Sequence, residues 1–169
     1  NGTTGASWET AHRFQNQVVN LSGYDYGVHI LFSSRYIVFQ NCTFYGMVTP
    51  GTQNAAIRVL GCSNIKIQNC TFQDNAGAGI CLATATYCYV ENNTFMKNGI
   101  GIQTYSGCAS SVIKQNQIWN SSAYGIFLQG NSPNNVIYNR IFENDMRYNS
   151  YGIFFDIYCQ QNTVSFNIV

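Results

Sequence analysis

Hydrolysis of a glycosidic bond needs two carboxyl groups held about 5–10 Å apart. The chain offers seven acidic residues for such a pair: Glu9, Asp25, Asp74, Glu91, Glu143, Asp145 and Asp156. A zinc centre needs several convergent ligands, yet His12 and His29 are the only histidines and no Cys-x-x-Cys pair exists, so neither a metal nor a cofactor is expected. Seven cysteines are dense for 169 residues and point to an oxidising compartment, and an odd number leaves one thiol over or joined to another molecule. Sugar rings stack on exposed aromatic faces. Tyr26, Tyr124 and Tyr151 each precede a glycine, and Phe127 and Phe154 follow two of them.

Composition narrows the setting. Charged residues are 9% of the chain, against roughly 25% in ordinary soluble domains. The net charge is +1 with Lys and Arg scattered singly, which argues against nucleic acid as a partner. Asn, Gln, Ser and Thr interrupt every apolar stretch well short of the ~18 residues of a membrane-spanning helix. The abundance of Ile, Val, Phe and Tyr argues against disorder. The chain starts at Asn1 without an initiator Met, as a processed protein or an excised piece would. Six Asn-x-Ser/Thr sequons begin at Asn1, Asn20, Asn41, Asn69, Asn92 and Asn120. Several lie inside a repeat, so Asn1, Asn20 and Asn120 are the glycosylation candidates. Together these features lead us to expect an extracellular or cell-surface protein.

The elements that must position these residues come from that repeat. Gln40-Asn41-Cys42-Thr43-Phe44 recurs as Gln68-Asn69-Cys70-Thr71-Phe72 and as Glu91-Asn92-Asn93-Thr94-Phe95. Aligned on the last residue, the column reads Val18, Phe44, Phe72, Phe95, Ile118, Ile141, Val169, with spacings of 26, 28, 23, 23, 23 and 28. Two residues earlier stand Asn16, Cys42, Cys70, Asn93, Asn116, Asn139 and Asn167; five residues earlier stand Phe39, Ile67, Val90, Ile113, Val136 and Val164. A second signature, small then β-branched then any then apolar, recurs from Gly27, Ala56, Gly79, Gly101, Gly125 and Gly152, with Thr104 as its one polar exception.

A three-residue strand cannot bury itself alone. Stacked copies turn its inward side chains into continuous apolar columns, each backbone pairing with the rung above and below about 4.8 Å away. Inward Asn at a corner can bond its equivalent in the next rung, and Asn93, Asn116 and Asn139 fit that role. The expected fold is therefore all-β: a single-stranded right-handed parallel β-helix of about six to seven coils of roughly 23 residues. It forms one domain over residues 1–169, with 1–14 as an N-terminal cap or half-coil and 15–169 as repeats. Ser7 could N-cap a short helix in that first segment. Extra residues are expected in two long turns, Tyr45 to Ala55 and Glu143 to Tyr151.

Asn93-Thr94-Phe95, Asn98, Gly101-Ile102 and Asn116-Gln117-Ile118, Asn120, Gly125-Ile126-Phe127-Leu128 resemble the right-handed parallel β-helix repeat proteins of the pectate-lyase-like superfamily, in particular the carbohydrate-binding and sugar-hydrolase repeat group. The resemblance covers about residues 14–169. It implies the fold; the family includes lyases, hydrolases, epimerases, adhesins and structural proteins. None of its catalytic patterns maps onto this chain residue by residue, so no catalytic residue is assigned.

Placed in the repeat, Asp74 and Glu143 fall about three rungs, ~14 Å, apart along one corner, and Glu143 and Asp145 lie on a solvated turn. His29 alternates with inward Val28 and Ile30, so it points outward, and so does Cys81. Cys42 and Cys70 stack on adjacent rungs, either bonded or as a buried thiol pair. Cys62, Cys108 and Cys159 share another column, with Cys88 in reach of Cys62 or Cys108. Tyr124, Phe127, Tyr151 and Phe154 form an outward aromatic patch and are the candidate carbohydrate contacts.

The last repeat stops on its apolar column, leaving Val164, Phe166, Ile168 and Val169 as an uncapped edge open to strand pairing. The first expectation for function is a structural solenoid whose ends stack head-to-tail into a filament or surface layer, with itself as partner. A polysaccharide-binding or adhesion module is the alternative, and an enzyme acting on polysaccharide is the third reading.

Overall fold

A computed structural model describes residues 5–51 and 53–169. Its strands assemble into one parallel sheet of seven strands, two of six and one of two, stacked as a β-solenoid with no helix among the described residues. Sheet A runs from His12–Gln15 through Ile37–Gln40, Ile65–Gln68, Tyr89–Glu91, Val112–Lys114 and Arg140–Phe142 to Thr163–Ser165. Sheet B holds Val18–Asn20, Thr43–Tyr45, Thr71–Gln73, Thr94–Met96, Gln117–Trp119 and Asp145–Arg147. Sheet C holds the longer strands Tyr26–Leu31, Ala55–Leu60, Ala78–Ala83, Ile100–Tyr105, Tyr124–Gln129 and Tyr151–Phe155. A short fourth edge pairs Val136–Ile137 with Cys159–Gln160 and continues as single bridges through Ala109, Thr86 and Ser63.

Inside, side chains stack by type. Phe44, Phe72 and Phe95 lie nearly parallel, with centroids 5.3 and 4.8 Å apart. Ile118 and then Met146 continue that column. The small residue of the second signature is forced by this stack: a Cβ on Gly101 would stand 2.5 Å from both the Gly125 carbonyl oxygen and Ile118 Cγ2. Each turn from sheet A to sheet B is made by one residue in the left-handed region, at Asn16, Asn41, Asn69, Asn92, Gln115, Glu143 and Phe166. Asn tolerates that conformation, so the sequons at Asn41, Asn69 and Asn92 mark this corner, and the one at Asn120 marks the corner after sheet B.

Three polar ladders satisfy the buried corners. In the first, the amide N–H groups of Cys70, Asn93, Asn116 and Asn144 donate to the side-chain oxygens of Asn93, Asn116, Asn144 and Asn167 at 2.8–3.1 Å. Cys42 extends it, its N–H donating to Cys70 Sγ at 3.5 Å. The second has two separate links, Asn75 N–H to Asn98 Oδ1 and Ser121 N–H to Asn149 Oδ1, with the buried Ser121 hydroxyl unpartnered between them; the third runs through Cys88, Ser111, Asn139 and Asn162.

Several expected registers are corrected. Val18 is 74% exposed, and Val19 takes the place opposite Phe44. Ile141 pairs with Ile113 and Val164 in sheet A, so Met146 belongs in the Phe95–Ile118 column. Val136 pairs with Cys159, and Asn144, rather than Asn139, follows Asn116 in its ladder. The extra residues of this coil lie between Gln129 and Val136, and the supposed turn after Glu143 contains the strand Asp145–Arg147. The cause is a degeneracy: Asn139-Arg140-Ile141 and Asn144-Asp145-Met146 carry the same Asn-x-apolar step five residues apart, so a five-residue insertion maps one corner onto the next. The Tyr45-to-Ala55 turn is present, with no strand among the described residues between Thr43–Tyr45 and Ala55–Leu60. Ser7 caps no helix. Its N–H donates to Thr10 Oγ1 at 3.2 Å in a turn, and strand pairing begins at His12.

Thr104 sits in the inward column between Leu82 and Leu128, fully buried, and its hydroxyl has no partner. A buried unpaired hydroxyl costs about 1–3 kcal/mol. Thr104→Val is therefore expected to raise the melting temperature, with a stability gain of about 1 kcal/mol; calorimetry of the two proteins measures it.

Candidate functional site

The outer face of sheet C is the part of the solenoid that gathers most of the chemistry. Its strands are the longest, and three outward columns run along it. The first is Tyr26, Ala55, Ala78, Ile100, Tyr124 and Tyr151; the second is His29, Arg58, Cys81, Gln103, Phe127 and Phe154; the third is Leu31, Leu60, Ala83, Tyr105 and Gln129. Small side chains in the middle, Ala55, Ala78 and Ala83, leave a low floor between an aromatic group at one end and a cationic group at the other.

The aromatic group is the expected one. The Tyr124 ring lies 4.5 Å from Phe127, 5.4 Å from Tyr151 and 5.2 Å from Phe154, centroid to centroid. Tyr151 is 55% and Phe154 36% exposed, but Phe127 is buried at 5% beneath its neighbours. Phe127 thus supports the ring cluster and offers no face to a ligand, because four rings on adjacent rungs cover one another. Beside Tyr124 lies a cavity of about 270 Å³ with Gly77, Gly99 and Ala123 along its floor and the Pro50–Gly51 turn as its far wall.

At the other end, Tyr26 stacks on His29 at 5.0 Å and the Arg58 guanidinium lies 5.2 Å over the Tyr26 ring. Arg58 Nη2 donates to Gln53 Oε1, and Nη1 lies 3.5 Å from His29 Nε2. No reading of the sequence singled out Arg58 or Gln53; Gln53 is five residues away along the chain, and Arg58 meets His29 only because residues 29 apart in sequence are neighbours on adjacent coils. His29 points outward as expected. Partial burial, then the Arg58 charge, hold its pKa below the ordinary value. Since folding weakens its hold on a proton, its contribution to stability is complete above the usual histidine pKa of about 6.5 and declines as pH falls below it. An NMR titration should place His29 below that value, and Arg58→Gln should move it upward.

None of the seven acidic residues stands in these outward columns. Asp74 lies at the corner after Thr71–Gln73. Glu143 lies at the other corner, with Asn92 and Gln115, so the two do not share the corner expected for them. Asp145 is in a strand and pairs with Arg147 at 2.7 Å. Glu91 lies between Lys66 and Lys114 on sheet A.

All seven cysteines are free thiols, so the bonded alternative for Cys42, Cys70, Cys62, Cys88 and Cys108 gives way to buried stacks. Cys81 faces outward yet is fully buried, because the Arg58 and Gln103 side chains on the neighbouring rungs and the ring cluster cover it. Burial pushes the thiols of Cys70, Cys81 and Cys88 up to about 12, and raises Cys108 further. Iodoacetamide at pH 8 should therefore modify partly exposed Cys159 first, leaving Cys81, Cys88 and Cys108 unmodified until the protein is unfolded, as mass spectrometry would show. Of the glycosylation candidates, Asn20 and Asn120 are exposed and Asn1 lies outside the described residues.

Stacked parallel strands and inward ladders define a β-helix repeat protein. The chain belongs to the family described as the right handed beta helix region, whose model matches residues 4–169. Among solved structures it is similar to the A-module of mannuronan C-5 epimerase AlgE4 from Azotobacter vinelandii. The identity is 18% and the TM-score 0.51, over 92% of this chain and 56% of that one. The chain thus spans a little over half the length of that neighbour. No curated protein matches the sequence.

Proposed function

We propose that this protein binds a polysaccharide along the outer face of sheet C, with the sugar chain lying parallel to the solenoid axis. The observation that carries the reading is the cluster of Tyr124, Tyr151 and Phe154 rings beside the cavity under Pro50. Exposed rings next to a concave, mostly apolar groove are what a pyranose face requires. The β-helix fold shared with a mannuronan epimerase supports a carbohydrate-related role. The setting that belongs to this reading is extracellular, and the exposed sequons at Asn20 and Asn120 fit it. Affinity electrophoresis through gels containing soluble polysaccharides tests the binding. The wild-type protein should be retarded by at least one polymer, and Tyr151→Ala should weaken that binding about tenfold, as loss of one stacked ring worth roughly 1–1.5 kcal/mol implies. Retardation unchanged by Tyr151→Ala and Phe154→Ala would remove this face from the account.

Head-to-tail stacking is the second reading, favoured by one observation. Val164, Phe166, Ile168 and Val169, on and beside the strand Thr163–Ser165, are 41, 85, 55 and 75% exposed, an apolar surface on that rung. In this reading a second copy supplies the next rung. Sedimentation velocity separates the two: a concentration-dependent polymer supports stacking, and a monomer throughout opposes it.

A further inference from the structure

We propose that the corner at the far edge of sheet C is a second binding site, which takes a single neutral sugar or other polyol. It is a cavity of about 280 Å³ formed where the strands of sheet C end, lined by Phe32, Ser33, Ser34, Ser63, Thr84 and Thr86 over a floor of Gly61 and Cys62. It lies at the strand ends, whereas the cavity beside Tyr124 lies at the strand starts, and no residue lines both.

The chemistry of the lining defines the ligand. Five hydroxyl side chains converge on one small space, and no charged side chain joins them. A hydroxyl both donates and accepts, which matches the alternating demands of sugar hydroxyls and gives no special gain to an anion or a cation. Ser33 Oγ is engaged by the Arg35 N–H at 3.2 Å, and Ser63 Oγ by Asn64 Nδ2 at 3.3 Å. Among the described residues the hydroxyls of Ser34, Thr84 and Thr86 make no hydrogen bond, so their capacity is open to a ligand. The Ser33 N–H donates to Cys62 Sγ at 3.3 Å, which fixes the thiol as part of the floor.

Phe32 supplies the apolar wall. It is 77% exposed, and its ring lies against Gly61, where a Cβ would stand 2.6 Å from Phe32 Cδ1. The glycine therefore permits the ring to sit flat over the corner. Phe32 and Thr84 both hold positive φ, at 47° and 50°. Thr84 is the single β-branched residue among the described non-glycine residues with positive φ, a costly choice for a corner that Asn or Gly would turn more cheaply. What threonine adds at that position is a side-chain hydroxyl among the residues that line the cavity, with its methyl on the Gly107 side.

The test is a ¹⁵N-resolved NMR titration with the methyl glycosides of glucose, galactose and mannose, with glucuronic acid as a charged counterpart. At least one neutral glycoside should give saturable shifts at Gly61, Ser63, Thr84 and Thr86 with a Kd of about 1–10 mM, as suits one small ligand in a half-open site. Phe32→Ala should weaken it about tenfold and Thr84→Val several-fold, while Tyr151→Ala leaves it unchanged, so this site and the sheet C face stand or fall separately. Both substituted side chains are exposed, and an unaltered melting temperature will confirm that the variants fold. Absence of saturable shifts at these amides, shifts confined to sheet C, or equal or tighter binding of glucuronic acid would each overturn the proposal.

Discussion

Asn116→Ala is expected to destabilise the protein by about 3–5 kcal/mol, lowering the melting temperature by roughly 10 °C. The reason is the number of buried groups that one amide serves. Asn116 Oδ1 accepts from the N–H of Asn93 at 3.0 Å and from Asn93 Nδ2 at 3.1 Å. Its Nδ2 donates to the Val90 carbonyl and to Asn144 Oδ1, both at 2.9 Å. The residue is 1% exposed, and Asn93 and Asn144 are equally buried, so water does not replace the lost partners. Each orphaned group costs about 1–3 kcal/mol. Asn116→Asp makes a sharper comparison: it keeps the acceptor but replaces the donor, so oxygen would face oxygen at Val90 and Asn144. The defect should deepen as pH rises through the carboxyl pKa, because a buried carboxylate is costlier than a buried acid. Thermal melts across pH measure both. An Asn116→Ala loss below about 1 kcal/mol would mean that the ladder is ornamental.

The second large effect is expected at Phe95. Its ring is fully buried and stacks on Phe72 at 4.8 Å, while Ile118 occupies the next rung. Phe95→Ala should cost about 3–5 kcal/mol, since rigid rungs above and below prevent the space from closing. Phe95→Leu should cost much less. Phe154→Ala, on the outer face at 36% exposure, should cost little stability while impairing sugar binding. The contrast separates inward from outward columns in a single denaturation series.

These residues also show what the sequence makes legible. The columns through Phe44, Phe72 and Phe95 and through Ile67, Val90 and Ile113 were readable because a 23-residue step preserves the alternation of inward and outward side chains. Where two corners carry the same Asn-x-apolar step, the pattern has no means of distinguishing them, and Ile141, Val136 and Asn139 were assigned to the wrong strands. The second and third polar ladders were missed for a related reason: Ser111 and Ser121 interrupt the run of Asn, although the Ser111 hydroxyl accepts from the Cys88 N–H as an Asn side chain would, while the Ser121 hydroxyl breaks its ladder. At the candidate site, Phe127 and Phe154 were legible from the outward parity of the second signature, and Tyr124 and Tyr151 from their place before its glycine, although strict alternation would have turned those two inward. The burial of Phe127 and Cys81 was not, because parity gives direction and says nothing about what lies across it. Arg58 and His29 carry no motif, and only the coil stacking places them together.

Backbone amide shifts of the labelled protein during titration with a linear neutral oligosaccharide test the central claim most directly. Saturable perturbations should trace a line along sheet C, through Gly77, Gly99, Ala123, Tyr124, Tyr151 and Phe154, leaving the outer faces of sheets A and B unmoved. Perturbations centred on Thr43, Thr71 and Thr94 of sheet B, or none along that line for any oligosaccharide that the protein binds, would contradict the account.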